Sequence, residues 1–109
     1  MKLEGVYLPV TTPFDAGRGE LDLEGFARNL DAWGRYPVAG YVIAGSTGEA
    51  PLLTEAEIVA LTARARDEVG ESAAVLTGTG LESTRATIRL GREAAAAGAR
   101  ALLVRPPSY

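Results

Sequence analysis

The sequence predicts an α/β fold in which parallel strands alternate with covering helices, and three observations carry that expectation. Short apolar runs rich in Val, Ile, Leu and Ala recur at residues 6–10, 39–44, 73–77 and 101–105, each bounded by Gly or Pro. Between them lie three stretches with helical rather than alternating periodicity, so the order reads strand, helix, strand, helix, strand, helix, strand. Strand starts are separated by roughly 30 residues, the length of one right-handed βαβ unit.

Each element has a local reason. The first helix is predicted from Asp22, whose carboxylate can accept an orphan amide hydrogen bond; Phe26, Leu30 and Trp33 then share one stripe, and Gly34 ends it. The second opens on a capping box, Thr54-Glu55-Ala56-Glu57, and buries Ile58, Leu61, Ala65 and Val69. The third starts around Ser83 or Thr84 and runs to a Gly98 stop, with Ala86, Leu90, Ala94 and Ala97 as a face of small residues suited to close packing on a sheet. Aromatic side chains such as Trp33 fall at helical spacing and read as core. Glu55, Glu57, Asp67, Glu68 and Glu71 read as a solvated helix face, with no catalytic acid and base pair among them.

Two architectures satisfy this order: a small open doubly wound sheet, or one half of an eight-stranded barrel. An open sheet ends with a helix over its last strand, whereas here the fourth strand runs straight into Arg105-Pro106-Pro107-Ser108-Tyr109. Four parallel strands so arranged leave apolar surface and an edge exposed. The expectation is therefore that residues 1–109 form the N-terminal half of a (β/α)8 TIM barrel, about four β/α units of a single domain, truncated after strand 4.

Composition narrows the chemistry. The 109 residues are 47% hydrophobic and 23% charged, the proportions of one globular unit. A net charge of −3 disfavours nucleic acid or an anionic membrane as partner. With no Cys and no His, disulfides, thiol nucleophiles, imidazole bases and nearly all structural zinc sites are excluded, and no metal site is expected. Ten of the eleven basic residues are Arg, so Lys2 is the one candidate for amine chemistry. No run reaches the roughly 18 apolar residues of a membrane span and none resembles a signal peptide, so the expected location is the cytoplasm.

The most informative stretch is Val42-Ile43-Ala44-Gly45-Ser46-Thr47-Gly48-Glu49, where an apolar strand leads into two hydroxyls flanked by glycines and followed by a carboxylate. Such a loop can cradle a carboxylate or phosphate on hydroxyls and backbone amides at a strand's carboxyl end, where α/β proteins bind ligands. It can equally be a tight turn whose hydroxyls satisfy local backbone groups. Gly78-Thr79-Gly80 is not a dinucleotide fingerprint, because position 83 is Ser where a third glycine is needed, and no Lys follows any glycine in Walker fashion. Tyr109, at the carboxyl end of the fourth strand, could relay a proton but on the bare sequence reads as a packing group with a wet tip.

Taken together, Gly5-Val6-Tyr7 with Pro9, Thr11-Thr12-Pro13-Phe14, Gly45-Ser46-Thr47-Gly48-Glu49 with Leu53-Thr54 and Glu57, Gly78-Thr79-Gly80, Ser83-Thr84, Gly98-Ala99 and Pro107 with Tyr109 resemble the dihydrodipicolinate synthase / N-acetylneuraminate lyase family. The resemblance covers essentially the whole chain. The phrasing Gly34-Arg35-Tyr36-Pro37, Gly40-Tyr41 and Glu82-Ser83-Thr84-Arg85-Ala86-Thr87 is most similar to the 4-hydroxy-2-oxoglutarate aldolase branch. The resemblance implies a pyruvate-dependent class I aldolase or synthase in which a lysine amine forms a Schiff base with a keto acid, and the iminium lets the adjacent carbon become an enamine nucleophile. No separate cofactor is implied, and the expected assembly is a homo-oligomer, dimer or tetramer.

Carried over residue by residue, the resemblance implies that Ser46 is a relay hydroxyl, replacing the family's Thr and losing its β-methyl. Thr47, with the backbone of Gly45 and Gly48, would bind the keto-acid carboxylate, and Glu49 would brace the loop by accepting hydrogen bonds. Tyr109 would be the tyrosine that neighbouring subunits exchange to complete the hydroxyl relay. The Schiff-base lysine belongs to a sixth strand outside this chain, since a barrel needs about 250 residues. Lys2 precedes the first strand and is expected on the opposite side from the ligand-binding loops. The 109 residues alone are expected to be inactive. The competing expectation is a free-standing small α/β domain that holds a carboxylate or phosphate on the Gly45 to Glu49 loop without catalysis.

Overall fold

Each α-helix begins where a side-chain oxygen meets an orphan amide. In the computed structural model, which describes residues 2–109, helix α1 spans Leu23–Trp33 and Asp22 accepts from the Gly25 N–H at 2.8 Å. Helix α2, Glu55–Val69, opens on the reciprocal box: Thr54 Oγ1 accepts from the Glu57 N–H and the Glu57 carboxylate accepts from the Thr54 N–H. Helix α3, Thr84–Ala97, is capped by Ser83 and stops at Gly98. The strands are β1 (Tyr7–Pro9), β2 (Gly40–Ile43), β3 (Ala74–Gly78) and β4 (Ala101–Leu103), slightly shorter than the apolar runs that announce them.

The strands lie in chain order, β1-β2-β3-β4, and every neighbouring pair is parallel. Right-handed crossovers repeated in one direction put every helix on the same face of the sheet, whereas a doubly wound sheet reverses its order and covers both faces. Accordingly α2 packs against both α1 and α3, and the molecule is only 22 Å thick along its shortest axis, the depth of one sheet and one helix layer. Single winding replaces the open doubly wound alternative with the β/α succession of a (β/α)8 barrel.

Burial follows the register. Tyr41, Ile43 and Val75 point into the helix layer and meet Phe26, Leu30, Ile58, Leu61, Ala65 and Leu90 in one core. Thr62 of α2 and Thr77 of β3, both fully buried, pair across this core with their hydroxyl oxygens 2.9 Å apart. The Thr62 proton is used on the Ile58 carbonyl at 2.8 Å, so Thr77 donates to Thr62. The opposite face carries Pro9, Val42, Leu76 and Ala101 in one lateral row, and among the described residues no helix packs on it. Leu102, Leu103 and Val104 at the β4 edge are also exposed. Among the described residues no helix is long and apolar enough to cross a membrane.

Candidate active site

The carboxyl ends of the strands are stitched together by backbone contacts. Leaving β2, the chain takes a left-handed conformation at Ala44 (φ 54°) and again at Glu49 (φ 62°), so the loop between is bracketed by two strained non-glycine residues. Gly48 N–H donates to the Gly45 carbonyl at 3.1 Å, Glu49 N–H to Ser46 at 3.1 Å and Ala50 N–H to Gly45 at 3.2 Å, after which Ala50–Leu52 forms a single 3-10 turn. From the end of β1 the buried Thr12 hydroxyl donates to the Gly48 carbonyl at 2.7 Å.

Close approach explains the glycines. A Cβ at Gly48 would lie 3.0 Å from the Val10 carbonyl oxygen, and one at Gly78 would lie 2.9 Å from the Ala44 carbonyl carbon and nearer still to its oxygen. These positions let the ends of β1, β2 and β3 converge. The result is a cleft of about 150 Å³ whose wall includes Gly45, Ser46, Gly78, Gly80, Leu103 and Arg105.

The sequence-predicted residues are distributed as follows. Gly45 and Ser46 line the cleft; Thr47, one residue further, is exposed beside it, and Gly48 is buried beneath the loop. Neither the Ser46 nor the Thr47 hydroxyl makes a hydrogen bond within the described residues, so these hydroxyls are not consumed by a local turn. The Glu49 carboxylate is exposed and accepts none either; the loop is braced by its own backbone and by Thr12, with Glu49 contributing its N–H and its left-handed φ. Tyr109 is not part of the cleft wall, and its side chain is fully exposed. Lys2 sits with Ala39, Ala73 and Arg100, the residues that lead into β2, β3 and β4, at the far end of the strands from Ser46.

Three features were not read from the sequence. Arg105 lines the same cleft as Ser46, and its guanidinium is paired with Glu82 at 3.1 Å. That arginine, with further hydrogen bonds from the segment after β4, holds the Glu82 carboxyl below the usual carboxylate range. Thr12 was visible only as part of a motif, although a hydroxyl at a strand end beside a glycine loop is a signal for such a brace. Tyr41, buried among the helices, has its phenol pushed up by desolvation and lies on the face away from the cleft. Among the described residues no group of three or more acidic side chains gathers into a metal-sized site.

Residues 2–109 match the model of the dihydrodipicolinate synthetase family. The chain belongs to that family. Similar members include the 4-hydroxy-tetrahydrodipicolinate synthases of Moorella thermoacetica, 46% identical over 101 residues, covering 92% of this chain and 34% of that protein, and of Stenotrophomonas maltophilia strain K279a, 46% identical over 108 residues, covering 98% and 36%. Among solved structures, dihydrodipicolinate synthase of Thermotoga maritima superposes with a TM-score of 0.89 at 35% identity, over 96% of this chain and 35% of that one. The Aquifex aeolicus enzyme gives 0.92 at 28% identity over 98% and 36%, and a dihydrodipicolinate synthase variant characterised as monomeric gives 0.89 at 34% identity over 98% and 35%. The chain thus spans about a third of the length of the relatives it matches.

Proposed function

We propose that these residues form the first four β/α units of a pyruvate-dependent class I aldolase or synthase, a carbon-carbon lyase of the 4-hydroxy-tetrahydrodipicolinate synthase or 4-hydroxy-2-oxoglutarate aldolase kind. The observation that carries the reading is the pair of hydroxyls on Ser46 and Thr47, unpartnered at the carboxyl end of β2, with Ser46 on the wall of the cleft. Thr47 and the adjacent backbone bind the keto-acid carboxylate, and Ser46 passes a proton between the reacting carbon's substituents and the Tyr109 phenol. Tyr109, exposed here, reaches a relay completed by a neighbouring subunit of a homo-oligomer. The Schiff-base lysine comes from a later strand, since Lys2 lies at the wrong end of the barrel. The uncovered row of Pro9, Val42 and Leu76 supports this, being the face that the remaining strands of a barrel enclose. The enzyme works in the cytoplasm.

Borohydride reduction of the complete enzyme in the presence of pyruvate, followed by peptide mass analysis, tests the proposal. The expected product is a reduced adduct on a lysine outside residues 1–109. An enzyme that turns over its substrate without forming any lysine adduct would refute the Schiff-base mechanism. Comparing cleavage of 4-hydroxy-2-oxoglutarate with condensation of pyruvate and aspartate semialdehyde then separates the two branches.

A further inference from the structure

The segment after β4 has almost no hydrogen bonds of its own to hold it. Pro106 and Pro107 lack N–H groups, so the first backbone donors after Arg105 are those of Ser108 and Tyr109. Both go to one carboxylate 26 and 27 residues upstream: Glu82 Oε2 accepts from the Ser108 N–H at 2.8 Å and from the Tyr109 N–H at 3.2 Å. Its other oxygen, Oε1, accepts from Arg105 Nη2 at 3.1 Å. Arg105 Nη1 in turn donates to Ser108 Oγ at 2.8 Å and to the Pro106 carbonyl at 3.2 Å. The ring is closed from below, because a Cβ at Gly80 would stand 2.7 Å from the Arg105 backbone nitrogen. The loop leaving β3 and the loop leaving β4 are therefore joined by the Glu82–Arg105 pair, by the two amides that Glu82 accepts from, and by the close backbone approach at Gly80.

We propose that Glu82 is a positioning residue for Tyr109. The Glu82 carboxylate accepts from the Tyr109 N–H and so fixes the backbone from which the phenol projects. An ionised acceptor suits the task, because hydrogen bonds to a carboxylate are shorter and stronger than those to a neutral oxygen. Arg105 has two roles in the clamp: it pairs with the Glu82 carboxylate and ties Ser108 into the same ring. Glu82 acts on the reaction only through where it carries the phenol. This inference rests on the reading of Tyr109 as the relay tyrosine.

The test uses the complete enzyme with the Glu82→Ala, Glu82→Gln, Tyr109→Phe and Glu82→Ala/Tyr109→Phe variants. Glu82→Ala should lower kcat roughly 10- to 100-fold, the penalty of a misplaced catalytic group, with KM for pyruvate within about twofold of the parent. Added to Tyr109→Phe it should cost almost nothing more, because both substitutions disable one relay. Glu82→Gln keeps an acceptor for the two amides but loses the ion pair, and should recover part of the rate. Deuterium exchange of the peptide covering residues 105–109 reads the clamp without reference to turnover, and Glu82→Ala should lose protection at two amides. Parental kcat in Glu82→Ala, or losses that multiply with Tyr109→Phe, would overturn the positioning role; unchanged exchange would overturn the clamp itself. Absence of a pyruvate adduct in the unsubstituted enzyme overturns the aldolase reading and the relay role that depends on it, leaving the exchange result to judge the clamp.

Discussion

Gly78→Ala is the substitution that the geometry condemns most clearly. The new Cβ would stand 2.9 Å from the Ala44 carbonyl carbon. That is roughly 0.6 Å inside the distance at which two carbons are comfortable. No flexible side chain can move aside, because the neighbour is backbone. Ala44 is also already in the left-handed region, at φ 54°, and begins the loop that carries Ser46 and Thr47. Relief therefore requires that loop to move away from β3. Overpacking of this kind costs about 3 kcal/mol at the upper end of its usual range. A shift approaching 1 Å at the hydroxyls would cut the rate of pyruvate adduct formation by roughly 100-fold. The assay is the urea midpoint of the complete enzyme together with its borohydride-trapping rate. Gly45→Ala is the control: its Cβ would meet only Val42 Cγ1, at an ordinary 3.5 Å, and its stability should stay within about 1 kcal/mol of the parent. Equal behaviour of the two variants would refute the claim that close approach at Gly78 shapes the loop.

Other consequences can be checked in the same way. Thr12→Val keeps the shape but removes the 2.7 Å hydrogen bond to the Gly48 carbonyl, and should destabilise by about 1–3 kcal/mol in urea unfolding; a neutral result would show that the brace is dispensable. Thr62→Val should cost more than Thr77→Val, because it strands the buried Thr77 donor, and the double substitution should cost less than the sum of the two. Denaturation midpoints of the three variants decide it: Thr77→Val costing as much as Thr62→Val would contradict the assigned donor, and simple additivity would contradict the pairing itself. Glu82 has its folded pKa lowered, first by the Arg105 hydrogen bond. Its contribution is therefore fully present above the ordinary carboxylate range and is lost only as pH falls through the depressed value. A carboxyl NMR titration that finds an ordinary or raised midpoint would contradict the ion pair.

The parts of this molecule that were legible in the sequence are those whose causes are local. The Asp22, Thr54 and Ser83 caps each serve an amide three residues on, so their chemistry fits within one helical turn and reads directly. Single winding was legible only from the whole pattern, the absence of a helix after the fourth strand together with the family resemblance, because the order of strands in a sheet depends on where each crossover lands, which no local pattern states. The loop after β2 shows the same boundary. Glycines at 45 and 48 suggest that the backbone freedom resides there, yet the left-handed conformations fall on Ala44 and Glu49, and Gly48 is needed because the Val10 carbonyl is close. Glu82 and Arg105 are 23 residues apart, and Thr62 and Thr77 are 15 apart. Each pair is ordinary as sequence and acquires meaning only when parallel strands bring successive loops side by side.

In the proposed mechanism the Ser46 and Thr47 hydroxyls grip and process a keto acid at the carboxyl end of β2. Its most direct test is the pyruvate dependence of borohydride trapping and turnover in the complete enzyme carrying Ser46→Ala or Thr47→Val. Thr47→Val should raise the pyruvate concentration needed for half-maximal trapping, while Ser46→Ala should leave that concentration nearly unchanged and lower turnover at saturation. Parental behaviour of both variants would contradict it.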